Sequence, residues 1–151
     1  MKPNPVKVMQ IVHAAFCLSI FLFTLVTSLT NQQQPYFKFL PDGEDPLYPL
    51  FPIIGLGLIT LSGFLFRKLI GKAVGLTNAE QKLSAYQTAF IAKCACLEAA
   101  CMIQITAYFL NPNMMFLLIA VLGLAFLVTA RPTKEKVIDT LSLVYPDTEK
   151  L

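Results

Sequence analysis

Apolar residues gather along this chain into four runs, each long enough to cross a bilayer, which takes roughly 20 mostly apolar residues. Val8 to Thr30 carries no charge and has a single imidazole, His13, near its start. Leu47 to Phe66 is charge-free, with Pro49 and Pro52 at its entry. Proline is tolerated there because the first N–H groups of a helix have no intrahelical partner. Asn111 to Ala130 is charge-free and very apolar. Tyr86 to Leu110 is apolar too but includes Lys93, Glu98 and Gln104. It counts as a span because the segments on both sides need it to keep their topology.

The basic residues support the same count. Lys2 and Lys7 precede the first run, and Arg67, Lys68, Lys72 and Lys82 separate the second from the third. Arg131, Lys134, Lys136 and Lys150 follow the fourth. Of the 12 basic residues, only Lys38 lies in an outer loop, beside Asp42, Glu44 and Asp45, and only Lys93 lies within a span. Positively charged loops stay in the cytoplasm, so both termini are expected inside and the number of crossings is expected to be even. The first run reads as a retained helix rather than a cleaved signal. Its apolar stretch is long, Thr27-Ser28-Leu29-Thr30 is a poor cleavage site, and Phe16 before Cys17 does not suit a lipoprotein signal.

Composition narrows the class further. Hydrophobic residues make up 56% of the 151 and charged residues 14%, and mean hydropathy is +0.63. So short a chain cannot hide that much apolar surface from water. A soluble enzyme, a nucleic-acid-binding domain and a disordered chain are excluded.

Three local features refine the architecture. Thr77-Asn78-Ala79-Glu80 fits a capping box with Thr77 as N-cap, which predicts one helix from about Asn78 to Leu110. At about 1.5 Å per residue that helix is roughly 50 Å long and should protrude from the bilayer. Gly71 and Gly75 punctuate the basic stretch before it, and Asn111-Pro112-Asn113 makes a tight turn after it. Thr133 can cap a short tail helix whose Val137, Ile138 and Leu141 share a face, away from Lys134, Glu135 and Asp139. That face suits either the bundle's own loops or a partner. The expected fold is all-α: an antiparallel four-helix transmembrane bundle over residues 1–131, N-in and C-in, and a cytoplasmic tail over 132–151 with a short helix.

Polar groups inside a bilayer are costly, about 2.5 to 3.5 kcal/mol for a charge at the centre by insertion scales, and so mark candidate function. Glu98 lies 12 residues from either end of the Tyr86–Leu110 segment and is too short to reach a headgroup. Three states are open to it. It can be protonated, because burial penalises the charged form; it can bond to hydroxyls at similar depth, with Ser19, Thr60 and Ser62 the nearest candidates; or it can face water or a partner. Lys93, five residues away, is off the face that would pair with it and has a stem long enough to snorkel. His13 reads as a packing or interfacial residue and Gln104 as an interhelical donor.

Small residues mark helix contacts. Gly55 and Gly63 share a face of the second helix, and Ala92, Cys96 and Ala100 recur every four residues on the third; those two helices are expected to meet there. The four cysteines, Cys17, Cys94, Cys96 and Cys101, all lie within spans and behave as small hydrophobes. A quinone-coupled thiol oxidase would need cysteine pairs in its outer loops. One histidine rules out a bis-histidine haem, and no CxxC or HExxH occurs. No cofactor is expected.

Two resemblances add to this. Tyr86-Gln87-Thr88-Ala89 through Leu97-Glu98-Ala99, then Ile105 to Leu110 and Arg131-Pro132-Thr133-Lys134-Glu135-Lys136, resemble a group of small bacterial four-helix membrane proteins. That resemblance covers most of the second half of the chain; it implies a bacterial cytoplasmic (inner) membrane and brings no activity with it. Leu97-Glu98-Ala99 is similar to the carboxylate's setting in the double-hairpin proteolipid of rotary ATPases. The chain departs from that family in its glycines, having only Gly55 and Gly57 in place of long alternating runs, and in placing its acid on the third helix rather than an even-numbered one.

The expectation is a non-enzymatic integral membrane protein, a scaffold or accessory subunit whose partners are the lipid bilayer and other membrane subunits or itself. No nucleophile, base and oxyanion donor can be assembled from these residues. The alternative is a small transporter or proton-coupled carrier using Glu98. A lipid-directed enzyme would have only Asp42, Glu44 and Asp45 as a headgroup-level cluster, which reads rather as a solvated turn or an adventitious cation site.

Overall fold

The computed structural model describes residues 4–38 and 48–143, and in them the protein is all-helical. Five helices follow in order: α1 Pro5–Thr30, α2 Leu50–Val74, α3 Ala79–Leu110, α4 Met114–Thr129 and α5 Lys134–Leu141. Three of them, α1, α2 and α3, are long and apolar enough to cross a membrane, and a fourth crossing is counted if α4 and α5, bent by 82°, are taken together. Asp42, Glu44 and Asp45 lie outside the described residues.

The sequence sets each helix locally. Asn4 caps α1, its side chain accepting from Val6 N at 2.9 Å, with Pro5 in the first helical position. Val6, His13, Ile20 and Thr27 are buried, and their seven-residue spacing draws one narrow inward stripe. Met9 joins them, while much of the opposite face of α1 is exposed, with Ile11, Phe21 and Leu29 largely so, as is expected of a helix that can cross a membrane.

α2 runs eight residues past Phe66, where the charge-free run ends. Arg67, Lys68 and Lys72 stop a hydropathy window but are good helix formers, and Lys72 lies in the last turn, where the helix dipole favours a cation. Gly71 is therefore helical, and Gly75 is the C-cap. α3 is the continuous helix expected, although its N-cap is Asn78, which accepts from Glu80 N at 2.9 Å, and not Thr77. The Asn78 side-chain oxygen closes onto the first turn as an Asx cap. α4 begins only at Met114, because Asn111, Pro112 and Asn113 form the turn and Asn113 is the cap. Its 16 residues span about 24 Å, short of the roughly 30 Å of a hydrocarbon core.

α3 organises the fold. It packs against α1, α2, α4 and α5, whereas α1 and α2 scarcely meet. Twelve of its residues are buried. Thr133 caps α5 as expected, accepting from Lys136 N at 3.3 Å. Val137 and Leu141 are fully buried where α5 packs on α2 and α3, so the tail helix tucks against the bundle itself. Ser142 ends it in the left-handed region (φ 50°, ψ 48°).

Candidate functional site

Helix α3 carries Glu98, and α1 supplies its partner. The Ser19 hydroxyl and a Glu98 carboxyl oxygen are hydrogen-bonded. Ser19 also lies 2.9 Å from the carbonyl of Phe16, one turn back on its own helix. A hydroxyl has one proton to donate. If it goes to the carboxylate, the Phe16 carbonyl must do without it. If it goes to Phe16, the contact with Glu98 needs a carboxylic acid donating to Ser19. The pair can thus hold Glu98 with or without its proton by rotating one hydroxyl.

The other two hydroxyls close in depth are not brought to Glu98. Thr60 donates to Gly57 at 2.8 Å and Ser62 to Ile59 at 2.6 Å, both within α2. Back-bonding to the preceding turn satisfies a hydroxyl without a neighbouring helix.

Lys93 turns the other way, to α2, with its ammonium 5.0 Å from the centre of the Phe66 ring. A cation over an aromatic face recovers part of what its desolvation costs. His13 is buried and its Nε2 lies 2.8 Å from the carbonyl of Leu127, tying α1 to α4. A carbonyl only accepts, so Nε2 there bears the proton. Gln104 is fully buried, and its amide nitrogen donates to the carbonyl of Phe51 at the start of α2. Its Oε1 has no partner among the described residues, a cost of about 1–3 kcal/mol for a buried acceptor.

The small residues do not all serve as expected. Gly55 is a true close approach: a Cβ there would lie 2.2 Å from Gln104 Nε2. Gly63 is not, since a Cβ would meet nothing within 4 Å. On α3, Ala100 is buried, but Ala92 and Cys96 are only half-buried at the edge of the contact. The tight approach that sequence missed is Gly123 of α4, where a Cβ would lie 2.7 Å from Cys101 Sγ. Cys101 in turn donates to the carbonyl of Ala120 at 3.3 Å, so a thiol and a glycine join α3 to α4. All four cysteines are free.

Asn113 was also missed. Fully buried, it caps α4 through Met115 N at 3.0 Å and donates to the Lys38 carbonyl at 2.7 Å and to the Tyr48 hydroxyl oxygen. Tyr48 donates to the same Lys38 carbonyl at 2.7 Å. Backbone bonds from Tyr36 N to the Pro112 carbonyl and from Met114 N to the Tyr36 carbonyl lay the segment after α1 along the α3–α4 turn. The one available signal was a turn rich in Asn and Pro facing a loop with two tyrosines, and such residues serve many turns.

One face of α3 remains uncovered. Ser84, Thr88, Ile91, Ala95, Ala99 and Thr106 are exposed and share a single helical face, at steps of three or four residues to Ala99 and then two turns on to Thr106. Five of these six side chains are Ser, Thr or Ala, shorter than the leucines and phenylalanines exposed on α1, and Ala95 and Ala99 lie four apart at mid-helix.

Among the described residues no group of three or more His, Cys, Asp or Glu side chains could hold a metal ion. No protein-family profile matches the chain, and no characterised protein and no solved structure shows significant similarity to it.

Proposed function

We propose that the protein is a non-enzymatic scaffold or accessory subunit of a membrane complex. It sits in a cytoplasmic membrane as an antiparallel four-helix bundle with both termini inside, and offers α3 to a neighbouring helix. The observation that carries this reading is the uncovered stripe of α3. The helix most buried by its own chain still exposes Ala95 and Ala99 at mid-length, and small residues at that spacing let a second helix approach backbone to backbone. Two buried polar side chains, His13 and Gln104, are by contrast spent on tying the chain's own helices together.

A photoreactive amino acid at position 95 or 99 tests it in native membranes. A discrete protein adduct is expected from both positions, absent from the exposed Val121 of α4 and lost when the other alanine is replaced by leucine. Lipid adducts alone from positions 95 and 99 would refute the scaffold.

A second reading rests on the Ser19–Glu98 pair. A carboxyl within a span that can be held in either protonation state suits a small proton-coupled carrier. Glu98→Gln then abolishes proton-linked flux in vesicles while the protein still inserts and assembles; flux unchanged by this substitution removes that reading.

A further inference from the structure

Three cations from three helices converge at one end of the bundle. Lys93 of α3 and Arg67 of α2 line the same groove, of about 500 Å³. Lys93 and Lys136 of α5 line an adjoining cavity of about 210 Å³. Phe66 and Lys93 form part of both walls. Lys93 feels the charges of both Lys136 and Arg67. No Asp or Glu lines either space, so Lys93 meets a second cation in each with no described carboxylate between them. That arrangement is unfavourable unless an anion joins it.

Donors remain available. Lys136 spends two of its three N–H groups on the carbonyls of Thr129 and Arg131, at 3.1 Å each, where it closes the end of α4. Lys93 contacts the Phe66 ring, and Arg67 is exposed. A guanidinium with two ammoniums beside it is a donor set suited to phosphate oxygens.

The groove below these cations is apolar. From Arg67 it follows α2 past Phe64, Gly63 and Ile59, with Phe126 of α4 opposite. Eight residues of helix cover about 12 Å. The Thr60 and Ser62 hydroxyls that border it are bonded to their own helix, and a Cβ at Gly63 would meet no described side chain within 4 Å. A charged rim at the end of a charge-free helix run, continuing into an apolar trough along that helix, has the polarity of a lipid seated head at the rim and tail down.

We propose that Arg67, Lys93 and Lys136 hold the phosphate of an anionic glycerophospholipid whose acyl chain lies along α2 in the groove floored by Gly63. The inference is independent of which partner α3 receives.

Native mass spectrometry of the purified full chain in detergent tests it, with phosphatidylglycerol, phosphatidylcholine of the same chains, and glycerol phosphate as probes. Phosphatidylglycerol should be retained at least tenfold better than phosphatidylcholine, and glycerol phosphate should not compete. Arg67→Gln and Lys93→Gln should each weaken retention about fivefold, the effect of one cation near an anionic lipid. Gly63→Leu should abolish it by filling the trough, with the helical circular dichroism unchanged because the site has room for a side chain. Equal retention of the two lipids overturns the proposal. So does competition by glycerol phosphate, or retention indifferent to Gly63→Leu, either of which makes this a site for a soluble anion.

Discussion

Replacing Asn113 dissects the end of the bundle at the α3–α4 turn. Asn113→Ala removes the α4 cap, worth about 1 kcal/mol. It also removes the two bonds from its amide nitrogen to Lys38 and Tyr48, at about 1 kcal/mol each. The expected loss is about 3 kcal/mol. Asn113→Ser restores a cap acceptor but cannot reach both the Lys38 carbonyl and Tyr48, so its loss is about 2 kcal/mol. For a chain of this size 1 kcal/mol moves Tm by about 2–4 °C, which puts Asn113→Ala roughly 6–12 °C below the parent. Cys94 and Cys101 are fully buried, so a thiol-reactive dye reports unfolding in detergent without any added probe. If Asn113→Ser unfolds with the parent, the strap between the segment after α1 and the α3–α4 turn contributes nothing, which would refute this prediction. If Asn113→Ala does so, the cap is irrelevant as well.

Other outcomes follow from the same geometry. Gly123→Ala forces a methyl against Cys101 and should cost about 1–3 kcal/mol, whereas Gly63→Ala should be neutral or stabilise by up to about 1 kcal/mol through helix propensity; the same dye-monitored melts compare them, and equal effects would contradict the packing described. Ser19→Ala should destabilise by about 0.6 kcal/mol, the typical worth of an interhelical bond in a membrane, and should add nothing in a Glu98→Leu background, which a double-mutant cycle reads. The exposed Glu135 carboxyl is held below the usual carboxylate range by its own backbone N–H and then by the Thr133 side chain. A lowered folded-state value means its contribution is present above the ordinary carboxylate range and lost as pH falls through that lowered value. Proteolysis or amide exchange at α5 should therefore increase on acidification through that range, and Glu135→Gln should flatten the response.

How far the sequence could be read depended on whether each signal was local. The reach of α3 was legible because a cap, an apolar run and a turn all lie on one segment, and even there the cap was misplaced by a residue, since Thr77 and Asn78 both suit that role. The end of α2 was not legible: hydropathy tracks lipid contact, and Arg67, Lys68 and Lys72 leave the lipid without leaving the helix. Depth alone selected Ser19, Thr60 and Ser62 as partners for Glu98. Rotation about each helix axis decides among them, and it depends on packing, so only Ser19 meets the carboxyl. The same limit explains the glycines. A small residue announces that something can come close, and only the assembled helices show that Gly55 meets Gln104, Gly123 meets Cys101 and Gly63 meets open space. The Asn113 hub joins segments distant in sequence, beyond any periodic pattern.

The account stands on α3 crossing the bilayer at the centre of an even-numbered set of helices. Reporter domains fused in turn to the N-terminus, to the α2–α3 connection at Gly75 and to the C-terminus test this in intact cells. All three are expected on the cytoplasmic side. A C-terminal reporter on the opposite face from the other two would mean an odd number of crossings, and the central place given to α3, with every role assigned along it, would be wrong.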